Sequence, residues 1–392
     1  MLEKALYGSK RYYAWVGLLL ILSVIGLAAY LKQFNYGLGV TGLSRDVSWG
    51  LYISQFTFMV GVAASAVMVA IPYYLHDYKT FGKIVILGEF LAVAAVIVCI
   101  LFIFVDLGQP TRLLNIILHP TPSSIMFWDM CVLTGYLLLN FIIGWTVLGY
   151  EKKGFPAPRW VKILTYIAIP WAVSIHTVTA FLYAGLPGKA YWLTAIMAAR
   201  FLASAFAAGP ALLIILCIIL RKWTSFKTSN RAIQSLATIV VYAMIANVFF
   251  FLLEVFTAFY SNIPGHIVTL QYLFAGVDGY SNLVPIMWIA AILAFLGIIL
   301  LLIPQVRRNE KGLILALLSV FVAAWLDKGI GLVLGGFVPN ALGHITEYIP
   351  TVTELIIIMG VYAIGLLVLT VLFKVVIGVR EQGMVGNHSE GF

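Results

Sequence analysis

The sequence predicts an all-α integral membrane protein of ten transmembrane helices, and two observations carry that prediction. Hydrophobic residues make up 62% of the 392 residues and charged residues only 10%, with mean hydropathy +1.04. Soluble domains carry roughly a quarter charged residues. The second observation is where the cations stand. Eighteen of the 24 Lys and Arg fall at the two ends of the chain or in every second connection between apolar runs. Cytoplasmic loops collect Lys and Arg, so this alternation predicts an even number of crossings with both termini in the cytoplasm. The net charge of +9 follows from that bias rather than from affinity for nucleic acid.

Each run is long enough to span, since a crossing needs about 20 apolar residues. The first helix, near 12–32, follows Lys4, Lys10 and Arg11 and ends in Tyr30-Leu31-Lys32. It is too long for the apolar part of a cleaved signal peptide and lacks a small-residue cleavage site, so it is read as retained. The second, near 48–76, leads to Lys79 and Lys83; the third, near 81–107, leaves from there. The fourth (126–150) and fifth (161–185) meet at Lys152, Lys153, Arg159 and Lys162. The sixth (190–220) and seventh (231–261) meet at Arg221, Lys222, Lys227 and Arg231. The eighth (282–304) and ninth (311–330) meet at Arg307, Arg308 and Lys311, and the tenth (352–377) closes beside Lys374 and Arg380. The opposite connections hold only Lys32, Arg45, Arg112 and Lys189. The second, sixth and seventh runs are long and should tilt or protrude; Pro170 and Pro210 interrupt the fifth and sixth. The outer connections, near 33–47, 108–125, 262–281 and 331–351, are too short for a soluble domain. The whole chain, 1–392, therefore reads as one transmembrane domain that relies on partners for soluble chemistry.

Two runs of small residues, Gly61-Val62-Ala63-Ala64-Ser65-Ala66 and Ala203-Ser204-Ala205-Phe206-Ala207-Ala208-Gly209, suit close helix packing. They recur four helices apart, which preserves direction. The expectation is two parallel four-helix bundles, helices 2–5 and 6–9, with helices 1 and 10 flanking them.

The three cysteines, Cys99, Cys131 and Cys217, lie singly inside helices, whereas an iron–sulfur cluster needs several thiolates. Of six histidines only His176 lies inside a span, and a membrane haem b typically takes two from facing helices. No Gly-rich phosphate loop is present. The chain is thus expected to hold no haem, no iron–sulfur cluster and no metal.

Ionisable residues inside a bilayer are expensive and are functional candidates by default. Here they are Glu89, Asp129, His176, Arg200, Glu254, Asp327, Lys328 and Glu354, with Asp106 at a helix end. At 1.5 Å per residue, His176, Arg200 and Glu254 lie roughly 10–15 Å below the outer ends of their helices. Asp129, Asp327, Lys328 and Glu354 lie nearer the outer surface, and Glu89 alone sits in the inner half. Structural ion pairing, such as Arg200 with Glu254, accounts for any one pair. Five helices contributing to one half of the membrane, with Ser204 four residues after Arg200, fit a pocket for a polar lipid headgroup that exchanges protons. A quinone is such a guest: its carbonyls accept hydrogen bonds and its reduction takes two protons.

The motifs sharpen this reading. Val40-Thr41-Gly42-Leu43-Ser44-Arg45-Asp46-Val47-Ser48-Trp49-Gly50-Leu51-Tyr52, Asp106-Leu107-Gly108-Gln109-Pro110-Thr111-Arg112, Ser174-Ile175-His176-Thr177-Val178-Thr179-Ala180-Phe181 and Arg200-Phe201-Leu202-Ala203-Ser204 follow one another in order. Asp327-Lys328-Gly329 and Glu347-Tyr348-Ile349-Pro350-Thr351 with Glu354 complete the set. Together they resemble the NrfD/PsrC family of quinone-interacting membrane subunits over nearly the whole chain, and most of all its ten-helix DsrP, HmcC and QrcD branch. Many members carry a small residue after the Trp that Trp128 matches, where this chain has Asp129.

The resemblance implies a cofactor-free subunit in the inner cell membrane that binds menaquinone or menaquinol near the outer face. It implies electron exchange with a periplasmic ferredoxin-like iron–sulfur subunit in a respiratory complex of sulfur metabolism. The DsrP branch further implies a haem b membrane subunit, a multihaem cytochrome c and a cytoplasmic iron–sulfur subunit of heterodisulfide-reductase type. The candidate roles are quinone binding by His176, Arg200, Asp129, Glu254 and Ser204, and a proton path through Glu89, Asp106 and Glu254. Arg112, Lys328 and Glu354 are assigned to a partner-facing rim. A secondary transporter, which also has repeats and buried charge, and a purely structural membrane anchor are the rival classes.

Overall fold

The computed structural model describes residues 1–76 and 78–389. Ten of its helices are long and apolar enough to cross a membrane: α1 Lys10–Val40, α2 Leu51–Leu75, α3 Lys79–Asp106, α4 Ile125–Lys152, α5 Arg159–Ala184, α6 Ile196–Trp223, α7 Asn230–Tyr260, α8 Val284–Leu302, α9 Glu310–Gly335 and α10 Val352–Glu381. The chain is a multi-pass membrane protein.

The helices pack as two four-membered rings. In the first, α2 lies on α3, α3 on α4, α4 on α5, and α5 returns to α2. In the second, α6 lies on α7, α7 on α8, α8 on α9, and α9 returns to α6. The rings meet where α2 packs against α6 and α9 and where α5 packs against α6. Helix α1 pairs with α10, which leans on α3 and α4. Burial follows this plan: 83% of the apolar window of α3 is buried, against 17% in α1, so α3 is interior and α1 faces lipid.

The two small-residue runs meet at the junction of the rings. A methyl group on Gly209 of α6 would lie 2.8 Å from the Ser65 backbone nitrogen and 3.0 Å from the Val62 carbonyl oxygen of α2. Glycine there lets the two backbones touch, the mode of association that small residues give in lipid. The α1–α10 pair repeats the device: a Cβ on Gly26 would stand 2.4 Å from the Cα of Gly360.

Three boundaries differ from expectation. Helix α6 begins at Ile196, not near 190, because Ala190–Trp192 form a 3-10 turn. Tyr191 and Trp192 are buried in that turn, and the Trp192 indole donates to the Leu332 carbonyl at 2.8 Å. The Thr194 hydroxyl then accepts from the Ile196 amide at the helix start. Helix α9 runs past 330 because it widens into a π-helix over Trp325–Gly331 before continuing to Gly335. The connection near 262–281 contains a helix, Pro264–Phe274, opened by proline in the first turn, where its missing N–H costs nothing.

Candidate functional site

Arg200 of α6 is the centre of the most charged part of the interior. Its Nη1 donates to Oε2 of Glu254 on α7, and its Nη2 reaches Oδ1 and Oδ2 of Asp327 on α9 at 3.1 and 3.2 Å. The guanidinium also lies over the Phe251 ring, 5.1 Å from its centroid. Arg200 and Glu254 are 5% and 3% exposed. One planar donor fork thus ties three helices of the second ring together, a geometry lysine cannot reproduce.

The π-helix decides what its two successive charges face. Asp327 turns into the second ring toward Arg200. Lys328 turns toward the junction with α2, where its Nζ lies 4.3 Å from the Phe201 ring centroid and donates to the Phe201 carbonyl at 3.4 Å. A methyl group on Gly61 of α2 would stand 3.2 Å from that ammonium, so the small-residue run also makes room for a buried cation. Single-turn π segments occur frequently at functional sites.

Two cavities adjoin the cluster. A narrow polar cleft is lined by Arg200, Ser204, Asn247, Asp327 and Lys328 together with apolar neighbours. An apolar groove runs between α7 and α8 past Phe251, Phe274, Met287 and Phe295. Asn247 and Asp327 line both, so the two spaces adjoin. Asn247 is 4% exposed and its Oδ1 accepts no hydrogen bond, and Oε1 of Glu254 is likewise unpartnered. Two cations face two carboxylates here, so the formal charges cancel while acceptors remain free.

The residues singled out from the sequence fall into separate places. Arg200, Glu254 and Ser204 come together, Ser204 donating to the Phe201 carbonyl at 3.0 Å. Asp129 of α4 instead accepts from Thr179 of α5 at 2.6 Å, in the first ring. His176 is fully buried on α5, with neither ring nitrogen hydrogen-bonded. It and Asp129 do not line the polar cleft. Glu89 of α3 is 3% exposed, its Oε2 is unpartnered, and that oxygen would be 3.0 Å from a methyl on Gly144 of α4. Asp106 closes α3 with its Oδ1 unpartnered. Among the described residues no hydrogen bond links Glu89, Asp106 and Glu254.

Two residues assigned to a partner-facing rim are interior instead. Lys328 is 4% exposed because the π-helix turns it into the slot at Gly61, and Glu354 is 0% exposed. Glu354 accepts from the backbone amides of Gly42 and Thr351, each at 2.7 Å, and from the Tyr348 hydroxyl. It clasps the 40–52 segment to the start of α10. The same clasp includes Thr346 to Asp46 at 3.1 Å and the Leu51 amide to Tyr348 at 3.1 Å. Beside it the Lys189 ammonium lies 4.1 Å from the Phe337 ring centroid, where burial pushes its pKa below the usual lysine range and Asp46 pulls it back up. Arg112 is exposed, as a rim residue must be.

Asn247 escapes a sequence reading confined to ionisable groups. The signal is present: it stands seven residues before Glu254, two turns away on the same face of an otherwise apolar helix. Gln55 escapes for the same reason. It is 1% exposed and accepts from Trp325 at 2.8 Å and Tyr362 at 2.7 Å, tying α2 to α9 and α10.

Comparison with known proteins adds family evidence. The family model described as Polysulphide reductase, NrfD matches residues 39–338. A protein of Halobacterium salinarum named as a membrane subunit of dimethyl sulfoxide reductase is 27% identical over 90% of this chain and 88% of its own length. The Hdr-like menaquinol oxidoreductase integral membrane subunit of Archaeoglobus fulgidus is 22% identical over 96% of each chain. The menaquinone reductase integral membrane subunit of Nitratidesulfovibrio vulgaris is 21% identical over 76% of this chain and 75% of its own.

Proposed function

The chain belongs to the polysulphide reductase NrfD family, and from that premise we propose that it is the quinone-interacting membrane subunit of a respiratory oxidoreductase complex. The observation that carries this reading is the polar cleft at Arg200, Ser204, Asp327 and Lys328, set beside the Arg200–Glu254 pair and adjoining an apolar groove. A membrane-dissolved ligand with a small, uncharged, hydrogen-bonding headgroup and an apolar tail matches the chemistry of both ends. The names of two relatives, a menaquinol oxidoreductase subunit and a menaquinone reductase subunit, support menaquinol or menaquinone as that ligand.

In this reading Lys328 donates toward a quinone oxygen, as does Ser204 once its hydroxyl rotates away from the Phe201 carbonyl, and Asn247 Oδ1 and Asp327 accept from a quinol hydroxyl. Quinol oxidation releases two electrons and two protons. The protons pass to the carboxylates of Asp327 and Glu254, and the electrons leave for a partner subunit, because this chain is read as carrying no redox centre. His176 and Asp129 form a second polar layer across the junction, proposed to exchange protons with the headgroup through Lys328. Glu89 and Asp106 extend the proton path at its two ends. The finer assignments are a cytoplasmic-membrane complex of sulfur metabolism with both termini inside and a periplasmic ferredoxin-like iron–sulfur subunit docked beside Arg112. Haem b, multihaem cytochrome c and heterodisulfide-reductase-like subunits complete it; the name of the A. fulgidus relative supports the last of these.

The test is Asn247→Leu in the intact purified complex. Leucine fills the same volume and cannot accept a hydrogen bond. Quinol-dependent electron transfer should fall by about tenfold or more, the loss of one buried hydrogen bond to substrate with its desolvation, while the complex assembles. Unchanged turnover with assembly intact would place the headgroup elsewhere.

A further inference from the structure

We infer that the groove between α7 and α8 is the lateral port through which the isoprenoid tail of the quinol enters from lipid, with Asn247 standing where tail gives way to headgroup. This rests on the quinone reading above and adds to it a route and a determinant of which quinols are accepted.

The groove exists because α8 presents small residues where α7 presents large ones. Ala290, Ala291 and Ala294 recur on one face of α8 opposite Met244 and Phe251. The trough they leave is apolar along its length and polar only at Asn247 and Asp327. It opens toward lipid, since only 33% of the α7 window and 28% of the α8 window are buried, and Leu252 and Phe295 on its flanks are 51% and 52% exposed.

The polar end selects among lipid-soluble occupants. A phospholipid tail would fit the trough, but its phosphate needs an uncommitted cation. Arg200 spends its guanidinium on Glu254 and Asp327, Lys328 lies outside the groove's lining with its ammonium over the Phe201 ring, and the groups facing the groove are a carboxylate and an amide. The unpartnered, nine-tenths buried Oδ1 of Asn247 wants a donor, which a quinol hydroxyl supplies and a phosphodiester does not. An uncharged prenylated quinol satisfies both ends.

The experiment compares two probes on the intact purified complex: a naphthoquinol carrying an isoprenoid tail and the same naphthoquinol without one. Ala291→Phe at the half-buried lip and Ala294→Leu on the floor both narrow the trough. The ratio of KM for the tailed quinol to KM for the tail-less quinol should rise about tenfold in each, equivalent to about 1.4 kcal/mol of tail binding. An unchanged ratio overturns the port, whether both KM values hold or both rise together. Equal KM values for the tailed and tail-less quinols in wild type also overturn it and leave the groove to phospholipid. Failure of wild type either to oxidise these quinols or to reduce the matching quinones sinks the underlying quinone reading instead. Should Ala294→Leu not assemble, Ala291→Phe alone decides.

Discussion

At the scale of single residues, the cost of burying charge separates what is structural from what is functional. Arg200 holds two carboxylates, so Arg200→Ala leaves Glu254 buried and Asp327 part-buried without their guanidinium partner. Breaking such a pair typically costs about 3–5 kcal/mol, and the variant should lose thermal stability and assembly as well as turnover. Asp327→Asn keeps the Arg200–Glu254 pair, so it should assemble near wild-type yield while quinol turnover falls. Thermal midpoints of the purified complex set beside turnover check this; equal destabilisation by both variants would make the whole cluster a structural clamp. His176→Ala removes no hydrogen bond, so a fall in turnover there without loss of assembly would show a chemical role. Glu89→Gln keeps shape and hydrogen bonding but cannot ionise. Lying in the first ring, away from the cleft, it should leave quinol affinity near wild type and lower turnover or charge movement. Silence in both assays removes Glu89 from the proton path.

At the scale of elements, the site is a product of how α2, α6 and α9 meet. The backbone contact at Gly209 brings α6 to α2, and the π-helix of α9 turns Lys328 into the slot at Gly61. Gly209→Leu drives a side chain into the Ser65 and Val62 backbone. Overpacking typically costs about 1–3 kcal/mol and more against rigid backbone, so this variant should fail to accumulate, whereas Gly17→Leu, with nothing within 4 Å of its Cβ, should express normally. Equal expression of the two would mean the rings do not need that contact. The clasp around Glu354 does comparable work at one end of the molecule, holding the 40–52 segment against α10.

For the whole molecule, the question is orientation. Packing of ten helices is unchanged by turning the protein over, so only charge decides. The basic connections predict that single cysteines near 79–83, 152–162, 222–231 and 307–311 resist a membrane-impermeant thiol reagent applied outside intact cells. Cysteines near 112–124 and 262–281 should react. The reverse pattern would move the quinone cleft to the opposite leaflet and the partner docking with it.

Helix number, class and the grouping of helices 2–5 and 6–9 were legible in the residues because they rest on local quantities. These are run length against membrane thickness, loop charge, and glycine spacing along one helix. The Arg200–Glu254 pair was legible too, since two charges at similar depth have few other partners. Tertiary structure alone decided the rest. Depth along a helix does not give its rotation, so His176 shared a layer with Arg200 in the sequence, and Asp129 the same half of the membrane, yet both occupy the other ring. Nor does it show a π segment, whose extra residue per turn sends Asp327 and Lys328 to different neighbours. Glu354, near the start of its helix, read as rim, but a returning loop buries it. Asn247 became a site residue only when the fold set its unpaired oxygen where an apolar groove meets a buried ion cluster. That is a property of the space between helices, which no single segment encodes.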